Sequence, residues 1–199
     1  MRQIRAYERG DTIVEMVLAF AIFSLVAVGT MNILNTGVAI AQQNLESSLV
    51  QQQIDSQAEM IRYIRNNDQT TWQNLITTGN LADNPASIDL AGACPTNVAA
   101  DAKFAKGFFV KYQRSGTHTT YSRVSLSGTS YGAPSTYARV DYTAGKSLGI
   151  WVQAARAEGP TRESTIQAYD FYIHACWSAT RGATSTTRGT IVRLYDGMQ

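Results

Sequence analysis

The 199-residue chain is long enough for one globular domain with a core plus an appendage. Only 16% of its residues are charged and the formal net charge is +2. Residues 1–10 hold Arg2, Arg5 and Arg9 against Glu8, so removing them leaves 14 basic and 14 acidic side chains. That balance argues against a function dominated by phosphate contacts.

From Met16 to Leu45 no charged residue occurs in thirty positions, and 19 of the 26 residues from Met16 to Ala41 are apolar. A stretch of this length spans the roughly 30 Å hydrocarbon core of a bilayer. The basic flank keeps the N-terminus cytoplasmic and places the rest of the chain, beyond the apolar segment, outside. Three readings compete. A secretory signal cut after Ala39-Ile40-Ala41 has its apolar core ending near Val28, too far upstream. An uncleaved single-pass anchor leaves Glu15, at the start of the segment, unexplained, although a carboxylate costs roughly 2.5–3.5 kcal/mol at mid-bilayer.

The third reading accounts for Glu15. The run Arg9-Gly10-Asp11-Thr12-Ile13-Val14-Glu15, followed by the apolar helix, resembles the type IV prepilin signal. The resemblance implies a cut by a prepilin peptidase between Gly10 and Asp11, with Glu15 fifth in the mature chain. The cut exposes an α-amine that neutralises Glu15 of a neighbouring subunit, because a carboxylate in a dry filament core needs a cation. The one departure is Asp11 as the first mature residue, which sets a second carboxylate beside that amine.

Residues 29–37 hold two Gly and two Asn but no Pro, so this part of the helix either loosens on subunit packing or is kept intact by its neighbours. Beyond it, Gln42–Asn66 is amphipathic, with Leu45, Leu49, Ile54, Ala58, Ile61 and Ile64 predicted to face a C-terminal sheet. Asn66-Asn67-Asp68-Gln69 ends the helix, and Trp72, Leu75 and Ile76 predict a short amphipathic turn or helix. A loop from Thr77 to Lys103 carries Gly79, Pro85, Gly92, Cys94 and Pro95. Strands are predicted at 107–113, 121–126, 137–142, 148–154, 166–177 and 190–195, with turns at 127–130, 159–160 and 182–189.

The expected fold class is α+β: a long helix packed on an antiparallel sheet of five to seven strands, one sheet face on the helix and one toward solvent or a neighbour. The expected divisions are a leader (1–10), a transmembrane or filament-core helix (11–41), an amphipathic half (42–67) and a globular sheet domain (68–199). Cys94 and Cys176 lack the close spacing of a zinc or redox motif, and in an exported protein they read as one disulfide; in a cytosolic one they would be two buried thiols.

No catalytic constellation is expected. His118 and His174 lie in different elements, and there is no Gly-x-Ser-x-Gly elbow, phosphate loop or acidic calcium loop, so neither metal nor cofactor is called for. Lys103, Lys106, Lys111, Arg114 and Arg123, interleaved with Phe108, Tyr112 and Tyr121, pose a nucleic-acid groove as a second reading, against strands with a solvated basic face.

The resemblance implies a structural subunit of a type IV pilus-like filament. It would sit in the cytoplasmic membrane and then in a surface filament serving adhesion, motility or DNA uptake. Its partners would be other pilin subunits, a prepilin peptidase, an assembly ATPase and a platform protein. Two other functions stand beside it: a DNA- or ligand-binding minor pilin, and an anchored surface protein that never polymerises.

Overall fold

A computed structural model describes residues 11–83, 94–96, 102–157, 167–178 and 185–196, apart from the side chains of residues 11 and 12. It divides into two compact units, Met1–Asn44 and Leu45–Gln199. Helix α1 runs Asp11–Asn67. In the first unit it is helical without interruption through residues 29–37.

In the second unit α1 buries Val50, Ile54, Ala58, Ile61 and Ile64, at spacings of three and four that keep one stripe of the helix inward. Leu45, expected on this face, is 62% exposed, and Leu49 is only half-buried. Four residues before Ile54 lies Val50, and four before that lies Glu46, so the stripe passes Leu45 by. Asp68 leaves helical geometry (φ −136°, ψ 81°) and ends α1. Its carboxylate accepts from the Thr71 N–H (2.9 Å) and the Thr71 hydroxyl (2.7 Å), starting α2, Gln69–Ile76. Those bonds hold the Asp68 carboxyl below the usual carboxylate range. Short 3₁₀ turns follow at Thr78–Asn80 and Ala102–Phe104.

Eight strands are described: β1 Phe108–Ser115, β2 His118–Ser125, β3 Tyr131–Gly132, β4 Arg139–Asp141, β5 Lys146–Leu148, β6 Ile150–Arg156, β7 Gln167–Ser178 and β8 Ser185–Asp196. Five form an antiparallel sheet in the order β2-β1-β6-β7-β8, and three form a small sheet in the order β3-β5-β4. The small sheet is mixed, since β3 and β5 run parallel. The chain is therefore α+β, with a long N-terminal helix and an antiparallel sheet, but its strands make two sheets where one was expected.

The single strand expected at 148–154 is split by Gly149, whose φ of +77° turns the chain from one sheet to the other. A Cβ at Gly149 would collide with the Cys176 carbonyl oxygen, so the turn also needs that close approach. The turn expected at 182–189 is a strand from Ser185 onward. There Ser185–Gly189 continue the twelve-residue ladder with β7, and cross-strand pairing outweighs the turn-forming composition.

The sheet is covered on both faces at its centre, contrary to the one-sided expectation. Ile150, Val152, Ala154, Phe171, Ile173 and Ala175 join α1 and α2 in the main core. On the opposite face Trp151 and Cys176 form a second cluster with Cys94, Phe104 and Tyr131. The Cys94–Cys176 disulfide (Cα–Cα 5.5 Å) fixes a point of the 77–103 segment over that face. Gln153 Nε2 anchors the same segment further along by donating to the Lys103 and Ala105 carbonyls, at 3.0 and 3.1 Å.

The ladder between β1 and β6 contains the single pairing Phe108↔Val152. Beyond it no strand among the described residues lies on the β6 side of β1, and Gln57 of α1 fills the place. Its Oε1 accepts from the Val110 N–H (2.8 Å) and its Nε2 donates to the Val110 carbonyl (2.9 Å), with the residue fully buried. One turn earlier Gln53 Oε1 accepts from Val140 N in the small sheet, at 3.3 Å. Two glutamines thus tie the amphipathic half of α1 to both sheets.

Candidate functional site

The N-terminal unit is built from a run of residues that no aqueous fold buries. Ile13, Val14, Met16, Val17, Leu18, Phe20, Ile22, Phe23 and Leu25 are all exposed on α1. The helix contains a window of mean hydropathy 2.3, long and apolar enough to cross a membrane, which is consistent with single-pass anchoring. Its hydroxyls turn back on the helix: Ser24 donates to the Phe20 carbonyl (2.7 Å), Thr30 to Val26 (2.8 Å) and Thr36 to Asn32 (2.9 Å). Such back-bonding leaves none of these hydroxyls seeking water within the span.

Glu15 lies on this helix, exposed, in its second turn. Acidic groups are favoured near a helix N-terminus by the peptide dipoles. No Lys, Arg or His occurs between residues 11 and 44, so any cation for Glu15 must come from outside that span. Asp11 opens α1, and Gly10, the other residue of the expected cut, lies outside the described residues.

The basic and aromatic residues between 103 and 123 do not assemble into one groove. Phe108 is fully buried, and the Arg123 guanidinium lies over its ring at 4.8 Å while donating to the Lys106 carbonyl. Burial lowers the pKa of Arg123, so its charge sits in packing and not on an open surface. Lys106 lies 3.7 Å from Asp83. The pleat sends Lys111 to the side of β1 opposite Tyr112, whose cross-strand partner is Tyr121.

His174 packs against Trp151 with ring centroids 5.3 Å apart, and neither of its nitrogens has a hydrogen-bond partner among the described residues. Burial lowers its pKa to about 4, leaving a neutral core ring. His118 is exposed at the start of β2, opposite Ser115. Among the described residues no group of three His, Cys, Asp or Glu side chains could hold a metal.

Two features are not apparent from the sequence. Gln57 looks like a polar spacer, although position 57 falls in the stripe defined by Val50, Ile54, Ile61 and Ile64, where a polar residue needs a partner. The four tyrosines at 63, 112, 121 and 142 are scattered along the sequence and meet only through the fold.

A long apolar N-terminal helix together with an α+β domain, in which the helix's second half packs on an antiparallel sheet, is a pilin-like architecture. No protein-family model, curated protein or solved structure matches this chain.

Proposed function

We propose that the chain is a structural subunit of a type IV pilus-like surface filament, made as a membrane-inserted precursor and polymerised through α1. The observation that carries this reading is Glu15. It is an acid at the mouth of an exposed apolar helix with no basic residue as far as Asn44, and the run Arg9-Gly10-Asp11 precedes it. A prepilin peptidase cutting between Gly10 and Asp11 creates the missing cation as a new α-amine. The amine of one subunit then pairs with Glu15 of the next, which sets the axial register as the helices pack. Other copies or related subunits, the peptidase, an assembly ATPase and a platform protein are the partners this reading requires. The protein resides in the cytoplasmic membrane before assembly and in the filament afterwards.

N-terminal mass analysis of the mature protein tests the processing step. A chain beginning at Asp11 supports it, whereas retention of Met1 or a cut after Ala41 overturns it. Glu15→Ala is expected to insert and be cleaved normally yet enter sheared filaments poorly. Normal assembly of that variant removes Glu15 from the mechanism.

A further inference from the structure

Four tyrosines form a continuous row across three elements and a turn. Tyr63 of α1 packs on Tyr121 of β2, with ring centroids 5.0 Å apart and planes tilted by 43°. Tyr121 and Tyr112 are direct partners in the β1–β2 ladder and so project from the same face. Tyr112 in turn packs on Tyr142, just after β4, at 4.6 Å and 41°. Tyr63 and Tyr112 remain 48% and 42% exposed, while Tyr121 and Tyr142 are half-buried and anchor the row to the core. With cross-strand neighbours about 5 Å apart, the row extends roughly 15 Å.

At the Tyr63 end the row opens into a groove of about 510 Å³, lined by Tyr63, Tyr121, Asn66, Asn67 and the Glu59–Arg62 ion pair. Apart from that ion pair, its polar lining is uncharged. Asn67 Nδ2 donates to the Tyr63 carbonyl, while its Oδ1 accepts nothing among the described residues. Asn66 Oδ1 accepts from Arg65 Nη1, leaving its amide hydrogens available. Of the neighbouring cations, Arg62 is paired with Glu59, whereas Arg65 donates to the Tyr195 carbonyl and Asn66, and Arg114 to the Gly116 carbonyl.

We infer that this tyrosine row is a binding strip for a neutral oligosaccharide. Exposed rings present apolar faces that match the C–H faces of linked sugar rings. The two asparagine amides supply both a donor and an acceptor for hydroxyls, without the charge that a nucleic acid would demand. A single-stranded nucleic acid also stacks on aromatic rings, but its backbone needs a track of cations, and the cation that lines this groove, Arg62, is paired with Glu59. The strip lies wholly in the second unit and is independent of whether the chain polymerises.

The test uses the full chain in a detergent without a sugar headgroup, titrated with a glucose hexasaccharide and with an N-acetylglucosamine hexasaccharide. Binding is followed by ligand-detected saturation-transfer NMR. Saturable binding of at least one probe, insensitive to salt, is expected. Tyr63→Ala and Tyr112→Ala should each weaken it roughly three- to tenfold. Tyr63→Phe and Tyr112→Phe keep the ring and should retain most of the affinity, and Arg114→Ala should leave it unchanged. Circular dichroism of each variant verifies that these exposed substitutions leave the fold intact. The inference is overturned if neither hexasaccharide binds, or if the alanine variants bind like the parent chain. It is equally overturned if binding vanishes at high salt and a single-stranded oligonucleotide competes for it.

Discussion

Replacing Gln57 by leucine tests the idea that a helix side chain stands in for a missing strand. The substitution keeps the volume and removes both bonds to Val110, whose N–H and carbonyl then face the core with no strand among the described residues beside them. It also removes the 3.2 Å bond from Gln57 Nε2 to the Tyr142 hydroxyl. A buried backbone group left without a partner costs about 1–3 kcal/mol. Two such groups, offset in part by the apolar replacement, give an expected loss of about 3 kcal/mol. For a unit of this size that corresponds to a fall in Tm of roughly 6–12 °C.

The assay is thermal unfolding of the full chain in micelles, followed by near-ultraviolet circular dichroism, which reports the tryptophan-rich core. Gln57→Glu provides a control with a distinct signature. A carboxylate can accept from Val110 N–H but cannot donate to Val110 O, whereas the protonated acid can do both. Burial raises the folded pKa of such an acid above its unfolded value near 4.3. The Gln57→Glu chain should therefore be least impaired at pH ~4 and lose stability as the pH rises toward neutrality. A Tm change below ~3 °C for Gln57→Leu, or a Gln57→Glu penalty that does not grow with pH, would refute the strand-surrogate role.

Cys94→Ala with Cys176→Ala removes a link spanning 82 residues and should lower unfolding stability by about 4–5 kcal/mol on the chain-entropy account, read from the urea midpoint; an unchanged midpoint contradicts it. His174, neutral in the fold with a pKa of about 4 against 6.5 when exposed, contributes stability that is complete above pH ~6.5 and lost as the pH falls to ~4, in all about 3 kcal/mol. His174→Phe should flatten that part of the stability–pH curve, and an unaltered curve counts against the assignment. Gly149→Ala places a Cβ against the Cys176 carbonyl at a positive φ and should cost about 3 kcal/mol or more; a Tm within a degree or two of the parent would show that the β5–β6 junction is free to adjust.

The elements that were legible in the sequence are those that a one-dimensional pattern encodes. Thirty uncharged positions define the apolar helix, and strand-like runs bounded by turn residues locate β1, β2 and β7 to within a few residues. With two cysteines only one intramolecular pairing exists, so the disulfide needed no connectivity argument. The features that stayed hidden depend on partners distant in sequence. Gly149 reads as an ordinary residue in an apolar run, and only the Cys176 carbonyl explains why it is glycine. Leu45 and Leu49 fit an amphipathic pattern as well as Val50 does, because apolar residues lie on both sides of α1 there, and the sheet's position decides among them. The strand Ser185–Gly189 carries turn-like residues and is held extended by β7. The second core cluster draws Phe104, Tyr131 and Trp151 from three separate segments.

The two units treat polar groups in opposite ways, and this contrast gives Glu15 its weight. In the second unit Gln57 satisfies the opening beside β1, Asp68 caps α2, and Asp170 accepts two 2.7 Å bonds from the Arg193 guanidinium. These polar groups meet partners within the unit, as a domain folded in water requires. The first unit satisfies the hydroxyls of Ser24, Thr30 and Thr36 on its own carbonyls, and its helix runs unbroken through Gly29 and Gly37, residues that each cost about 1 kcal/mol against alanine in a helix exposed to water. In hydrocarbon that cost is opposed by the larger one of unbonding the backbone, so a surrounding apolar phase favours the intact helix. A segment this self-sufficient is suited to apolar surroundings, and from residue 11 to residue 44 it holds no basic residue to set against the Glu15 carboxylate.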